Sequence, residues 1–114
     1  FHAIGHADLP KKFGHLPEEG YLDLVEPVLK IMAAEGLALD VNTAGWRKPV
    51  GELYPSPAVL ALARALGVGV VLGSDAHAAG EVGFRFSQAR RLLLDAGYRT
   101  ARFYRGGRFQ AYTL

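Results

Sequence analysis

The chain has 114 residues, half of them hydrophobic and 21% charged, with 13 Lys and Arg against 11 Asp and Glu. That is an ordinary globular composition for about one domain with a modest core, and the slight excess of positive charge does not by itself imply a nucleic-acid partner. There is no cysteine, which excludes disulfides and thiolate metal sites. No apolar run approaches the roughly 18 residues of a membrane span and the first residues do not read as a signal peptide, so a cytoplasmic protein without a membrane partner is expected.

The first stretch, "FHAIGHADL", opens with a short apolar run of strand type. In "LPEEGYLDLVEPVLKIMAAEG", Leu22, Val25, Leu29 and Met32 fall at helical spacing and Gly36 is placed as a stop, which predicts an amphipathic helix with Pro27 in its first turns or at a kink. "LALDVNTAG" reads as a second strand, followed by a Gly- and Pro-containing loop. "PAVLALARALG" has Pro57 at a helix start and Gly67 at its end. "VGVVLG" is continuously apolar and β-branched, as suits a strand buried on both faces. "EVGFRFSQARRLLLDAG" returns to helical period, and "YRTARFYRGGRFQAYTL" alternates around Gly106-Gly107 as a β-hairpin does, one face packed and one solvated.

Three strand-helix units at this length predict α/β architecture: about three parallel strands, or one part of a (β/α) barrel whose other strands lie outside this sequence. Ligands bind such folds at the carboxyl ends of the strands. The first strand ends in Gly5-His6-Ala7-Asp8, the second in Asp40-Val41-Asn42-Thr43 and the third in Ser74-Asp75-Ala76-His77. His6, Asp75 and His77 on one rim offer neutral imidazole and hard carboxylate, the ligand types of catalytic Zn, Mn and Fe sites. In an extended segment residues i and i+2 point the same way, so Asp75 and His77 are expected to face one cation. The competing reading makes Asp75 a helix cap and His6 a hydrogen-bonded structural residue.

"IGHADLPKKFG", "LDVNTAGWRKPVGELYPSP" and "GVVLGSDAHAAGEVG" resemble the C-terminal half of the histidinol-phosphatase type within the PHP (polymerase and histidinol phosphatase) superfamily, over nearly the whole chain. The resemblance implies the C-terminal part of a distorted (β/α)7 barrel, here three βα units plus a hairpin. It also implies two or three divalent metals (Zn, Mn or Fe) at the C-terminal rim and hydrolysis of a phosphomonoester, L-histidinol phosphate, by metal-bound water. Residue by residue it makes His6, Asp75 and His77 metal ligands and assigns Asn42, Glu52 and Tyr54 to a substrate-facing loop. Asp8 and Ser74 are expected to support these ligands from behind, Asp8 by orienting His6. Phosphate hydrolysis needs positive charge at the non-bridging oxygens, and Arg47 and Lys48 lie at the same rim, the Arg with a bidentate fork matched to phosphate.

The family's opening His-x-His motif, and the His, bridging Glu and His that follow it, have no counterpart here. With a Phe as first residue, the expectation is that residues 1–114 are the C-terminal segment of one PHP domain, inactive without the missing N-terminal segment. His2 and His15 are read as structural, and Trp46 as a packed loop anchor. The alternatives are another PHP phosphoesterase, acting on nucleotides or DNA ends, and a PHP-like module without catalysis.

Overall fold

The computed structural model describes residues 3–5 and 21–114. The expectations for His2, His6, Asp8 and His15 therefore lie outside the described residues. The order is β1 (Ala3–Ile4), α1 (Tyr21–Glu35), β2 (Ala38–Asn42), α2 (Pro57–Ala65), β3 (Gly69–Gly73), α3 (Phe86–Asp95), β4 (Thr100–Arg105) and β5 (Arg108–Thr113), with short 3-10 turns at Thr43–Arg47 and Ala79–Glu81.

The five strands form one sheet in chain order. β1 to β4 are parallel and β5 returns antiparallel along β4. The expected α/β class and C-terminal hairpin are both present, and β4 extends the parallel sheet to a fourth strand that the sequence reading left as tail. Parallel strands laid down in chain order through right-handed crossovers keep their helices on one face of the sheet. The core lies on that face: Leu39, Val41, Val70 and Ala101 from the strands meet Leu29 and Met32 of α1, Val59, Leu60 and Ala63 of α2, and Ala89 and Leu93 of α3. Strand alternation sends Asp40, Val71, Gly73 and Arg102 to the opposite face, where all four are half-buried.

All three helices close alike. Gly36, Gly67 and Gly97 have φ of +68°, +83° and +99°, and the next residue's N–H returns to a carbonyl in the last turn: Leu37 to Met32, Val68 to Ala63, Tyr98 to Leu93. This is the left-handed glycine cap, which satisfies carbonyls the helix leaves open. Arginines add to it: Arg64 Nε donates to the Gly97 carbonyl at 3.0 Å, Arg99 to Leu94 at 3.2 Å and Arg102 to Gly36 at 3.5 Å.

Pro27, expected in the first turns of its helix or at a kink, is the seventh residue of α1, in its second turn, where it costs the helix one hydrogen bond at an exposed position. Two expectations are corrected. The last helix begins at Phe86, because Gly83 and Arg85 adopt φ of +68° and +52° and break the helical run read from Glu81. The hairpin turn is as read, with Arg105 opposite Arg108 and both glycines at positive φ. Its packing differs: Ala101 is buried, but Phe103, Tyr104 and Tyr112 are exposed. Among the described residues no layer covers the outer part of either hairpin face, so the aromatics pair with one another, Phe103 with Tyr112 at 6.0 Å and Tyr104 with Phe109 at 5.6 Å.

Tyr98 joins the helices to the sheet, its hydroxyl donating to the Val68 carbonyl at 2.8 Å from a nearly inaccessible position. Burial pushes its phenol up to about 12, against the opposing influence of Arg64 and Arg102. A raised folded-state value favours the neutral phenol, so the stabilisation is complete below pH 10 and is lost as pH rises through about 12. In an alkaline absorbance titration Tyr98→Phe is expected to remove a phenolate phase near pH 12, and to lower stability by about 1 kcal/mol for the lost hydrogen bond.

Candidate active site

β3 delivers its chain end into Ser74-Asp75-Ala76-His77. Ser74 is buried, whereas Asp75 and His77 are exposed. The expected extended run does not continue through the motif: Asp75 has φ +46°, a left-handed conformation that costs a non-glycine residue roughly 1–2 kcal/mol and that Asp tolerates better than most. Strand alternation therefore stops at Gly73 and does not bring Asp75 and His77 to one side. Instead the His77 ring folds back on its own motif, Nδ1 lying 2.8 Å from the Asp75 carbonyl. A carbonyl only accepts, so Nδ1 carries the proton and the neutral ring keeps its lone pair on Nε2.

The turn after β2 holds this loop in place. Arg47 NH2 donates to the carbonyls of Ser74 at 3.0 Å and Asp75 at 3.1 Å. It also lies 3.5 Å from Glu81 Oε2, while the guanidinium stands 5.4 Å over the Phe84 ring. The same Glu81 oxygen accepts from the His77 amide at 2.8 Å. That hydrogen bond, foremost, holds the Glu81 carboxyl below its usual range; partial desolvation opposes it and Arg47 assists. Arg47 NH1 is buried with no hydrogen-bond partner among the described residues.

Arg47 can reach across because its own turn is pinned. Asn42 Oδ1 accepts from the Ala44 amide at 2.9 Å, its Nδ2 donates to Asp40 at 3.1 Å, and its backbone bridges to Tyr54. Gly45 lies against the returning segment so closely that a Cβ there would run into the Glu52 carbonyl oxygen.

The residues expected to face substrate are thus divided. Arg47 stands beside Asp75 and His77. Asn42 is buried as the cap of its turn, its amide engaged at both ends, and Tyr54 is a core side chain at 1% exposure, so neither presents a surface to a ligand. Glu52 and Lys48 are half-buried, Lys48 without a side-chain hydrogen bond or ion pair among the described residues. Trp46 packs against the core with Arg85 over its ring at 5.8 Å, as read. Among the described residues no three of His, Cys, Asp or Glu come together to hold an ion.

Two residues were missed. Asp40 is half-buried in an otherwise buried strand, its carboxylate lodged where Cβ atoms on Gly5 and Gly73 would come within 3.6 and 3.0 Å; a charge in an apolar strand was the available signal. Glu81 was hidden in a run read as helix.

Parallel strands whose carboxyl ends carry Asp75, His77 and a half-buried arginine define an α/β protein with its candidate site at the strand ends. No protein-family model matches the chain. The chain is homologous to histidinol-phosphatases. It is 55% identical over 103 residues to a probable histidinol-phosphatase of Deinococcus radiodurans, covering 90% of this chain and 39% of that protein. It is 36% identical over 88 residues to the histidinol-phosphatase of Bacillus subtilis, 73% of this chain and 33% of the relative. The crystal structure of a candidate histidinol phosphatase from Listeria monocytogenes matches with a TM-score of 0.70 at 30% identity, covering 76% of this chain and 35% of the other. The chain therefore spans about two fifths or less of the relatives it matches.

Gly45→Ala, by forcing the 52–54 segment away from the turn, is expected to lower stability by about 1–3 kcal/mol. It should also raise hydrogen exchange at residues 74–77, where Arg47 no longer holds the carbonyls; unchanged exchange there would separate the turn from the loop.

Proposed function

We propose that this chain supplies the C-terminal part of a metal-dependent phosphomonoester hydrolase that converts L-histidinol phosphate to L-histidinol and phosphate. The observation that carries the reading is Arg47: one nitrogen holds the Asp75 loop, and the other is a buried, charged donor without a partner among the described residues. A buried guanidinium N–H left open is costly unless an acceptor meets it, and a phosphoryl oxygen is the matching one. The names of the homologues support the same substrate class.

His77 fits a metal ligand in its chemistry, since its protonated Nδ1 is held by a carbonyl and its Nε2 lone pair stays available. Asp75 and His77, with His6 and residues outside this chain, would hold the ions. When bound, divalent ions lower the pKa of a coordinated water and neutralise phosphoryl charge. The chain's own part is to fix Asp75 and His77 at the end of β3 and to bring Arg47 against them. The sheet, wound in chain order with helices on one face, accords with one part of a (β/α) barrel closed by strands outside this sequence.

A second reading, hydrolysis of nucleotides or DNA ends, draws on the uncovered aromatics of the hairpin among Arg99, Arg105 and Arg108. One assay separates the two: phosphate release from histidinol phosphate and from a 5′-phosphorylated oligonucleotide, before and after chelation and with Mn, Zn or Fe restored. Histidinol phosphate is the expected substrate, with activity lost on chelation and in Asp75→Ala. Arg47→Lys is expected to raise KM about ten- to hundredfold, the equivalent of a charge-assisted hydrogen bond of roughly 1.5–3 kcal/mol. Release from the oligonucleotide alone would overturn the assignment.

A further inference from the structure

Glu81 has no part in that scheme, yet among the described residues its Oε2 is the atom that touches both sides of the site. It accepts from the His77 amide at 2.8 Å and lies 3.5 Å from Arg47 NH2. The two groups it joins come from different strands, His77 from the end of β3 and Arg47 from the turn after β2. His77 is exposed, and its other contact is a ring bond to a carbonyl of its own motif. The reach back is short because the 3-10 turn closes on itself, Glu81 N to Ala78 O at 3.0 Å, which returns the side chain toward residue 77. A carboxylate oxygen has lone pairs for both a backbone N–H and a guanidinium, and its charge strengthens each contact.

We propose that Glu81 is a positioning residue that locks His77 and Arg47 into one unit, so that imidazole and guanidinium address the same phosphate ester. The inference rests on the phosphatase reading of the site. Its two contacts are separable: Glu81→Ala removes both, whereas Glu81→Gln keeps an oxygen for the His77 amide and removes the charge facing Arg47.

The test measures kcat and KM for histidinol phosphate, Mn2+ affinity and the NMR shift of the His77 amide, all in the protein that includes the N-terminal segment. Glu81→Ala is expected to lower kcat/KM and Mn2+ affinity by about ten- to hundredfold, the usual range for a residue that orients a metal ligand. Glu81→Gln is expected to keep Mn2+ affinity and the His77 amide shift near wild type and to raise KM about two- to fivefold, the worth of a partly exposed ion pair. Wild-type values for Glu81→Ala would overturn the proposal, as would a Gln variant with the Mn2+ affinity of the Ala variant. If Glu81→Ala does not fold, the split between KM and Mn2+ affinity in Glu81→Gln decides alone. A wild-type protein that includes the N-terminal segment and releases no phosphate sinks the phosphatase reading instead, and the Mn2+ affinity and amide shift of the variants then still decide whether Glu81 joins the two groups.

Discussion

The reach of Arg47 from the turn after β2 to the carbonyls of Ser74 and Asp75 is the contact on which the site depends. Two carbonyls that leave a strand end without ladder partners are satisfied by one charged side chain, and that side chain is itself seated over Phe84. The left-handed Asp75 is sustained by this surrounding. A strained residue persists where its neighbours over-determine it, and here a guanidinium on one side and the His77 ring on the other both act on the Asp75 carbonyl.

Behind this contact stands the regularity of the fold. β2 and β3 are paired over five residues in register, Ala38 with Gly69 through Asn42 with Gly73. The turn that begins at Thr43 and the loop that begins at Ser74 therefore leave the sheet side by side. The chemistry is assembled by adjacency of two parallel strand ends, which is why residues 27 or 28 positions apart can share a hydrogen bond.

Much of this was legible in the sequence. Gly36, Gly67 and Gly97 mark the helix ends because only glycine enters the left-handed cap freely, and Gly106-Gly107 marks the hairpin because both turn positions need positive φ. The placement of Asp75 and His77 at a strand end followed from an apolar run that stops. What could not be read was direction. Nothing local distinguishes an Asp75 in left-handed conformation from an extended one, since Asp accepts both. A period-2 tail does not say whether anything lies above it, so the exposure of Phe103 and Tyr104 could not be foreseen. Glu81 was invisible because its partners belong to two other elements.

Three arginines gather at the opposite end of the sheet. The three helices all end there, and their open carbonyls carry partial negative charge that Arg64, Arg99 and Arg102 meet directly. Part of the slight excess of positive charge is thus used within the molecule, against the open ends of its own helices. The two ends of the sheet use arginine differently: at one, Arg64, Arg99 and Arg102 meet helix carbonyls, and at the other Arg47 and Glu81 tie down the loop that carries Asp75 and His77. The arginines at the helix ends are thus engaged with the protein's own carbonyls, whereas Arg47 at the strand ends keeps one nitrogen without a hydrogen-bond partner among the described residues.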